Sequence, residues 1–220
     1  MAFKLINARP SPYGRKIAIA LHEKGIAYDV QYDVPWGNET CTPHFSPLEQ
    51  LPILIRDDVE FIYDSVYIMD WLEARFPYPA LLPSDIDARL LVMKRRMLGE
   101  RVMEFAQSLI FEMHRPEPSQ SWVDRQTRKI AGGLAEIENL SGTIVPKVND
   151  AINQGDIAIA TSLLGLEFAI SAGLSPDLDV LRWRGRYPRI TRLIEALEVR
   201  PSFVATTPAT MDVNLKATVN

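Results

Sequence analysis

The chain has 220 residues, of which 47% are hydrophobic and 24% charged, as in folded globular proteins with one large domain or two small ones. Its net charge of −4 argues against a nucleic-acid partner, and its single cysteine, Cys41, excludes an intramolecular disulfide and a cysteine metal site. No stretch reaches the ~18 consecutive apolar residues of a membrane span, and the N-terminus lacks a signal-peptide core, so we expect a cytoplasmic protein with no membrane partner.

The N-terminal stretch predicts a strand, a turn and a helix. Residues 3–6 form a short apolar segment that is typical of a strand. The helix is expected to begin at Ser11 and Pro12, because serine is a good N-cap and proline suits the first helical position, and to end at Gly25. Ser11 is thereby delivered to a helix N-terminus, whose partial positive charge attracts anions.

The segment Ser11-Pro12-Tyr13-Gly14 is similar to the glutaredoxin redox motif C-P-Y-C with both cysteines replaced. In that motif the first cysteine is a thiolate stabilised by the helix N-terminus. One interpretation is that a ligand brings the sulfur and that Ser11 donates its hydroxyl proton to the ligand's thiolate. The other is that the Ser-Pro pair only caps a helix, and the motif alone leaves both open.

The rest of the first half predicts further strands and a second helix. Residues 27–34 alternate as a strand, which suggests a βαβ unit with a right-handed crossover. Residues 35–47 are rich in turn formers and indicate a loop or one short helix. Residues 53–62 predict a hairpin, and a helix is expected to follow Asp64 and Ser65.

The proline-rich stretch PYPALLPSD divides the chain. It predicts a linker at 78–86 between an α/β domain at 1–77 and an all-helical domain at 87–208, followed by a polar tail at 209–220 that is a candidate for disorder. Apolar periodicity predicts that the main helices of the second domain span 85–114, 122–140, 155–172 and 188–199. The third of these is apolar enough to form the buried centre of that domain.

One face of the first long helix mixes apolar and polar side chains, namely Leu90, Met93, Met97, Arg101, Glu104, Ser108 and Phe111. Such a face can border a cleft, contact a partner or face solvent, and the pattern leaves all three open. The basic group Lys94, Arg95 and Arg96 on the same helix is interpreted as a solvated or dimer-facing patch.

Four segments in order make the chain similar to cytosolic, serine-type glutathione transferases over almost its whole length. SPYGRK resembles S-P-[FY]-x-x-[KR], SPLEQLPIL resembles N-P-x-x-Q-V-P-x-L, and YDSVYIMDWLE resembles E-S-x-x-I-x-x-Y-L. The segment WRGRYPRITRLIEALEVRPSF resembles the family's C-terminal helix and its R-P-S-F ending. The resemblance implies a thioredoxin-like β-α-β-α-β-β-α domain followed by an all-helical domain, with glutathione as co-substrate and no metal.

By this resemblance, the glutathione-contacting positions are Ser11, Gln50, Leu51, Pro52, Asp64 and Ser65. Ser11 would be the catalytic residue and would stabilise the glutathione thiolate. Leu51 would offer its backbone groups beside a cis Pro52, while Gln50 would lie near the glycyl end. Asp64 and Ser65 would hold the γ-glutamyl group, although the same pair could also serve only as a helix N-cap.

The electrophile pocket implied by the resemblance is lined by Tyr13, Trp36, Phe111, His114 and Arg115. Cys41 lies in the same loop as Trp36 and is interpreted as a bystander, and the three histidines lack metal-ligand spacing. The helix at 155–172 departs from the family, because Ala158 and Thr161 occupy its expected capping-box positions. The cap is therefore expected to be lost unless Asp156 caps the helix from an earlier register.

Two classes of function follow. The first is a detoxifying transferase that conjugates the glutathione thiolate to a small hydrophobic electrophile, or a lyase, isomerase or dehalogenase that uses the same thiolate. The second is a non-catalytic binding or interaction module on the same fold. Thiol-disulfide exchange is disfavoured, because neither redox cysteine is present.

The resemblance also implies a homodimer. Met93, Met97 and Phe105 would supply the apolar part of a two-fold contact. The cations expected to pair across it with Asp70 or Glu73 of a second copy are Arg95, Arg96 and Arg101.

Overall fold

A computed structural model describes residues 1–176 and 178–211 of the chain and places a four-stranded mixed sheet in its first third. The strands are β1 (Phe3–Asn7), β2 (Asp29–Tyr32), β3 (Ile53–Arg56) and β4 (Glu60–Ile62), in the spatial order β2-β1-β3-β4. β1 pairs with β2 in parallel and with β3 antiparallel, and β4 is antiparallel to β3. The strand, turn and hairpin predictions are therefore confirmed.

Two helices belong to this sheet region, α1 (Pro12–Glu23) and α2 (Ser65–Arg75). Between β2 and β3 the chain forms only a short 3-10 helix (Thr42–His44), so the second helix of the expected β-α-β-α-β-β-α order is reduced to one turn. The density of turn formers in this segment explains the reduction, because they offer the backbone alternatives to helical hydrogen bonds. Ile17 and Leu21 of α1 and Leu5 and Leu54 of the sheet are fully buried in one core.

The rest of the described chain is helical. Its helices are α3 (Ile86–Met113), α4 (Gln120–Leu140), α5 (Gln154–Ser171), α6 (Pro188–Glu198) and α7 (Pro201–Val204), with a 3-10 helix at Asp179–Leu181. α5 is the buried centre, as predicted, since every residue from Gln154 to Leu166 is buried. α3 packs closely on it, because a Cβ added at Gly99 would lie 2.9 Å from the backbone nitrogen of Ile159.

The α5 cap is not lost, because Asp156 takes part in it from an earlier register, which is the exception that the sequence allowed. The helix begins at Gln154, and its capping box is formed by Asn153 and Asp156. The Asn153 side chain accepts from the backbone N–H of Asp156, whose carboxylate accepts from the backbone N–H of Asn153. Asp156 thus belongs to a box that starts five residues before Ala158, and Thr161 instead donates its hydroxyl to the carbonyl of Ile157 within the helix.

The interpretation of Lys94, Arg95 and Arg96 as a solvated or dimer-facing patch is wrong for both arginines. Arg95 is buried and its guanidinium lies 2.9 Å from the carboxylate of Asp156, while Arg96 is buried against Asp70 of the same chain. The helical period turns these two residues toward α5 and α2, and only Lys94 remains exposed.

The acidic groups expected to meet a second copy are likewise already paired within the chain. Arg96 bonds Asp70, and Nζ of Lys24 lies 2.8 Å from the carboxylate of Glu73. Arg101 pairs with Glu104 on its own helix. The predicted cross-dimer pairs that use Arg95 and Arg96 are therefore wrong.

The C-terminal segment after residue 200 is more ordered than its polar composition suggests. α7 buries Phe203, which is 1% exposed. Of the predicted tail at 209–220, residues 212–220 lie outside the described residues. Among the described helices, none is both long enough and apolar enough to cross a membrane.

Candidate functional site

The strand directions bring the predicted glutathione-contacting segments to one edge of the sheet. β1 runs toward the loop that carries Ser11, and β3, which is antiparallel to it, begins directly after Pro52. β4 is antiparallel to β3, so its end, followed by Asp64 and Ser65, reaches the same edge. β2 is parallel to β1 and delivers the loop containing Trp36 there as well. Residues far apart in the sequence are thus neighbours in the fold.

Ser11 is half-buried and is the N-cap of α1. Its Oγ accepts a hydrogen bond of 3.2 Å from the backbone N–H of Gly14, which leaves the hydroxyl proton for a ligand. Gly14 lies directly against Asn7, because an added Cβ would come within 1.6 Å of Oδ1 of Asn7. The absence of a side chain at Gly14 therefore lets the first turn of α1 rest on the end of β1.

The peptide bond between Leu51 and Pro52 is cis, as the resemblance implies. Pro52 is buried, Leu51 is half-buried, and Gln50 is exposed. The segment therefore anchors its proline in the fold and keeps the preceding residues accessible at the site edge.

Asp64 is exposed at the N-terminus of α2. Its Oδ1 accepts from the backbone N–H groups of Val66 at 3.0 Å and Tyr67 at 3.4 Å, so it caps the helix. The capping uses one carboxylate oxygen and leaves Oδ2 for a ligand's amino group. Ser65 follows at the first helical position and is buried, at 5% exposed.

A cavity of about 790 Å³ adjoins this edge. Its lining residues are Gln50, Glu104, Gln107, Ser108, Phe111, Glu112, Arg115, Ser119 and Trp122. Gln50 connects the cavity to the segments that are predicted to contact glutathione. Glu104, Ser108 and Phe111 come from the mixed face of α3, so the cleft interpretation of that face is correct for these three residues.

Two of the five residues predicted for the electrophile pocket line the cavity, and the other three are not among its lining residues. Phe111 and Arg115 line the cavity, and Trp36 contacts the Phe111 ring edge-on at 6.5 Å between centroids. Tyr13 lies behind the lining and donates its hydroxyl to Oε1 of Gln107 at 3.4 Å. His114 bonds the carbonyl of Ile110 through Nδ1 at 2.7 Å.

Sequence reasoning missed Gln107 and Trp122 as lining residues. Gln107 is three residues after Glu104 and four before Phe111, so helical spacing alone puts it on the same face of α3. That spacing was the available signal. Trp122 comes from α4, and no local pattern relates it to α3, because their packing is a tertiary feature.

Burial and nearby negative charge govern the ionisation of three groups in the first part of the chain, Tyr13, Lys16 and Cys41. Burial, with Glu104 and Glu100 nearby, raises the pKa of Tyr13, so its phenol remains a hydrogen-bond donor. Burial lowers the pKa of Lys16, and its ion pair with Glu100 opposes this effect. Burial and a hydrogen bond to Asp33 raise the pKa of the Cys41 thiol, consistent with a bystander.

In the described part of the chain, no group of three or more histidine, cysteine, aspartate or glutamate side chains is arranged to hold a metal ion. The groups present at this edge are a hydroxyl donor, a helix N-terminus and a carboxylate. This set suits a ligand that carries a thiolate and an amino acid group.

Comparison with known proteins agrees with this arrangement. Residues 5–80 match the family model for the glutathione S-transferase N-terminal domain. The uncharacterized GST-like protein YibF of Escherichia coli (strain K12) is 32% identical over 209 residues, which cover 93% of this chain and 98% of that protein.

Solved structures are similar over nearly the whole chain. A glutathione S-transferase from Methylobacterium radiotolerans, in complex with glutathione sulfonate, has a TM-score of 0.87 and 38% identity, covering 97% of this chain and 98% of that one. A glutathione S-transferase from Methylobacillus flagellatus, with glutathione bound, has a TM-score of 0.82 and 30% identity, covering 94% of this chain and 100% of that one. The chain therefore belongs to the glutathione S-transferase family, with a thioredoxin-like N-terminal part and a helical C-terminal part.

Proposed function

We propose that this protein binds glutathione along the sheet edge and conjugates its thiolate to a small electrophile held in the adjoining cavity. The observation that carries the proposal is the Ser11 hydroxyl at the N-terminus of α1, whose proton is left for a ligand, on the helix whose Tyr13 bonds Gln107 of the cavity lining. Solved relatives with glutathione or glutathione sulfonate bound support the choice of ligand.

In this proposal each part of glutathione has its own contact. The γ-glutamyl group binds Asp64 and Ser65, the cysteinyl backbone pairs with Leu51 beside Pro52, and the glycyl end approaches Gln50. The cap geometry of Asp64 supports its role, since Oδ2 is left for the ligand's amine. The amides at the start of α2 complement the γ-glutamyl carboxylate.

Ser11 makes the thiol reactive by stabilising its ionised form. A free thiol has a pKa of about 8.5, and each unit by which binding lowers it is worth about 1.4 kcal/mol. A hydroxyl hydrogen bond and the positive end of a helix both favour the thiolate. Lyase, isomerase or dehalogenase reactions would use the same thiolate, because the cavity and not Ser11 selects the second substrate.

The cavity favours an electrophile with an aromatic or apolar part. Phe111 and Trp122 supply ring surface, and Trp36 supports Phe111 from the first part of the chain. Gln107 and Ser108 add hydrogen-bonding groups, so a purely apolar molecule would leave them without partners.

We also propose that two copies form a homodimer. The apolar side chains Leu90, Met93 and Met97 of α3 are 54%, 38% and 44% exposed, and they lie on one helical face. A second copy of the chain would cover this face, since a two-fold contact uses the same patch twice.

The experiment that tests the proposal measures the ultraviolet absorbance of bound glutathione thiolate against pH. Ser11→Ala removes both the hydroxyl and the cap, and it should raise the pKa of bound glutathione and lower kcat more than affinity. Ser11→Gly removes the hydroxyl, adds no charge and costs the N-cap only a few tenths of a kcal/mol, so it separates capping from thiolate stabilisation.

The matched control is Ser171→Ala, which removes an exposed hydroxyl at the end of α5 that donates to the carbonyl of Phe168. It should leave the pKa of bound glutathione unchanged. A Ser11→Gly protein with the wild-type thiolate pKa would contradict the role of Ser11. A wild-type protein that binds no glutathione would contradict the proposed function altogether.

A further inference from the structure

Gln107 occupies a position that the proposed glutathione site does not use. It lies on the face of α3 that lines the cavity, between Glu104 and Phe111. Its Oε1 accepts the hydroxyl of Tyr13, which belongs to the first turn of α1, two residues after Ser11. The amide therefore joins the helix that carries the proposed catalytic serine to the wall of the electrophile cavity.

The hydrogen bond with Tyr13 fixes which end of the amide faces the cavity. A glutamine side chain has one acceptor oxygen and one nitrogen with two donor hydrogens. Oε1 is engaged by the phenol, whose proton is retained because burial raises the pKa of Tyr13. Within the described chain no group accepts a hydrogen bond from Nε2 of Gln107, so its N–H donors are available to a molecule in the cavity.

The two carboxylates of the lining are already engaged. Glu104 pairs with Arg101, and Glu112 accepts from the backbone N–H of Ser119 at 2.7 Å. Arg115 is exposed and its guanidinium lies 3.6 Å from the carboxylate of Glu112. Gln107 is thus the lining side chain whose donor end is held in place by a buried partner.

We propose that Gln107 is a catalytic residue that activates an electrophile by donating a hydrogen bond to its carbonyl oxygen, and that Tyr13 is the positioning residue for this donor. The inference rests on the proposed function and names the substrate class of the same site. A conjugated carbonyl compound with an aromatic group fits, because the amide meets its oxygen and the rings of Phe111 and Trp122 meet its planar part.

The step is an addition in which no oxidant or reductant takes part. The glutathione thiolate forms a C–S bond with the β-carbon, and the π electrons of the C=C bond move to make an enolate whose negative charge lies largely on the carbonyl oxygen. Gln107 donates to that oxygen as the charge develops, so it stabilises the transition state more than the substrate. The α-carbon then takes a proton from water, which balances the proton lost when the thiol ionised.

The test compares two electrophiles in wild type and variants. An aromatic enone, 4-phenylbut-3-en-2-one, places charge on a carbonyl oxygen, whereas benzyl chloride reacts by displacement and has no such oxygen. Gln107→Leu should lower kcat/KM for the enone by about 10², and the ratio of enone to benzyl chloride activity should fall with it. Gln107→Glu, which keeps the size and the Tyr13 contact but offers no donor, should lower the same ratio.

Tyr13→Phe checks the positioning role. It leaves Gln107 in place but removes the hydroxyl that orients it, so the enone to benzyl chloride ratio should fall less than in Gln107→Leu. The matched control is Gln120→Leu, which removes an exposed amide of α4 that donates to Asp124. Its ratio should equal that of the wild type.

The outcomes separate this inference from the proposed function. Glutathione thiolate that forms normally in Gln107→Leu, with both electrophiles slowed equally or neither slowed, overturns the role of Gln107 alone. A wild type that turns over benzyl chloride but not the enone overturns it as well. A wild type without glutathione thiolate overturns the proposed function, and this inference falls with it.

Discussion

Nζ of Lys16 lies 2.5 Å from Oε1 of Glu100, in an ion pair that joins α1 to α3. The two side chains are only 2% and 12% exposed. α1 carries Ser11, and α3 supplies much of the cavity lining, so this pair fixes the proposed thiolate site relative to the electrophile cavity. The pair is therefore part of the geometry of the site even though neither residue lines it.

Lys16→Met should destabilise the protein by about 3 kcal/mol or more, because it leaves the Glu100 carboxylate buried without its partner. The double variant Lys16→Met with Glu100→Leu should recover much of this loss, since no charge remains buried. Urea unfolding measures both. Lys94→Met is the control, because its pair with Glu136 is about half exposed and should be worth less than about 1 kcal/mol. Equal losses at Lys16 and Lys94 would contradict the argument.

The raised pKa of Tyr13 predicts that the folded protein loses stability at high pH. Its folded pKa is raised by burial, whereas an unfolded tyrosine ionises at about 10. Above that pH the unfolded state releases a proton that the folded state keeps, so the free energy of unfolding falls by up to about 1.4 kcal/mol per pH unit.

Tyr13→Phe removes this contribution, and its free energy of unfolding should fall less steeply above pH ~10 than that of the wild type. The measurement is a series of urea unfolding curves across that range. Tyr78→Phe is the control, because the Tyr78 side chain is 84% exposed. Parallel pH profiles for wild type and Tyr13→Phe would show that the phenol is not held protonated by the fold.

Gly165→Ala should weaken both the fold and glutathione binding. A Cβ at this position of α5 would lie 2.9 Å from Cβ of Pro12, the first residue of α1, so the start of α1 would have to move. We expect a loss of about 1–3 kcal/mol from this overpacking.

Gly132→Ala provides the matched control on α4, because an added Cβ there meets no atom within 4 Å. Alanine is the better helix former, so this change should stabilise the protein by up to about 1 kcal/mol. Unfolding curves and glutathione titration calorimetry report the two effects. We expect Gly165→Ala to lower the free energy of unfolding and Gly132→Ala to raise it. If both changes raised it, the close contact between Gly165 and Pro12 would be refuted.

The homodimer proposal predicts a solution mass of twice 24.9 kDa by light scattering coupled to size exclusion. Met97→Glu should shift the mass to the single-chain value, because it places a charge in the proposed apolar contact. Ile144→Glu is the control, since Ile144 is 92% exposed in a loop away from α3. A wild type that elutes as a single chain at micromolar concentration would contradict the dimer.

The sequence predicted those parts of the fold that depend on local pattern. Ser11 with Pro12, and Asp64 with Ser65, are helix starts that can be recognised from residue type alone, and both were found there. The buried run of α5 follows from its continuous apolar composition. These features need no knowledge of what the segment packs against.

The errors concern partners that lie far away in the sequence. Arg95 and Arg96 are chemically typical surface residues, and only the packing of α3 against α5 and α2 makes them buried ion-pair partners. The α5 capping box, by contrast, is local, since Asn153 and Asp156 are three residues apart and begin the helix in an earlier register than the family motif. Helical spacing could have placed Gln107 on the lining face of α3, but its contact with Tyr13, 94 positions earlier, is a tertiary feature.

The contacts between α7 and α1 make the end of the described chain a structural partner of its beginning. The buried guanidinium of Arg15 donates to the carbonyl of Phe203 at 3.2 Å, and Glu23 accepts from Arg200 at 2.8 Å and also holds Ser202. On the ribosome, Arg15 and Glu23 are made early, and their partners emerge about 180 residues later. Because a chain grows from its N-terminus, α1 remains incompletely packed until residues 200–203 have been made, so the helix that presents Ser11 completes its packing long after its own synthesis.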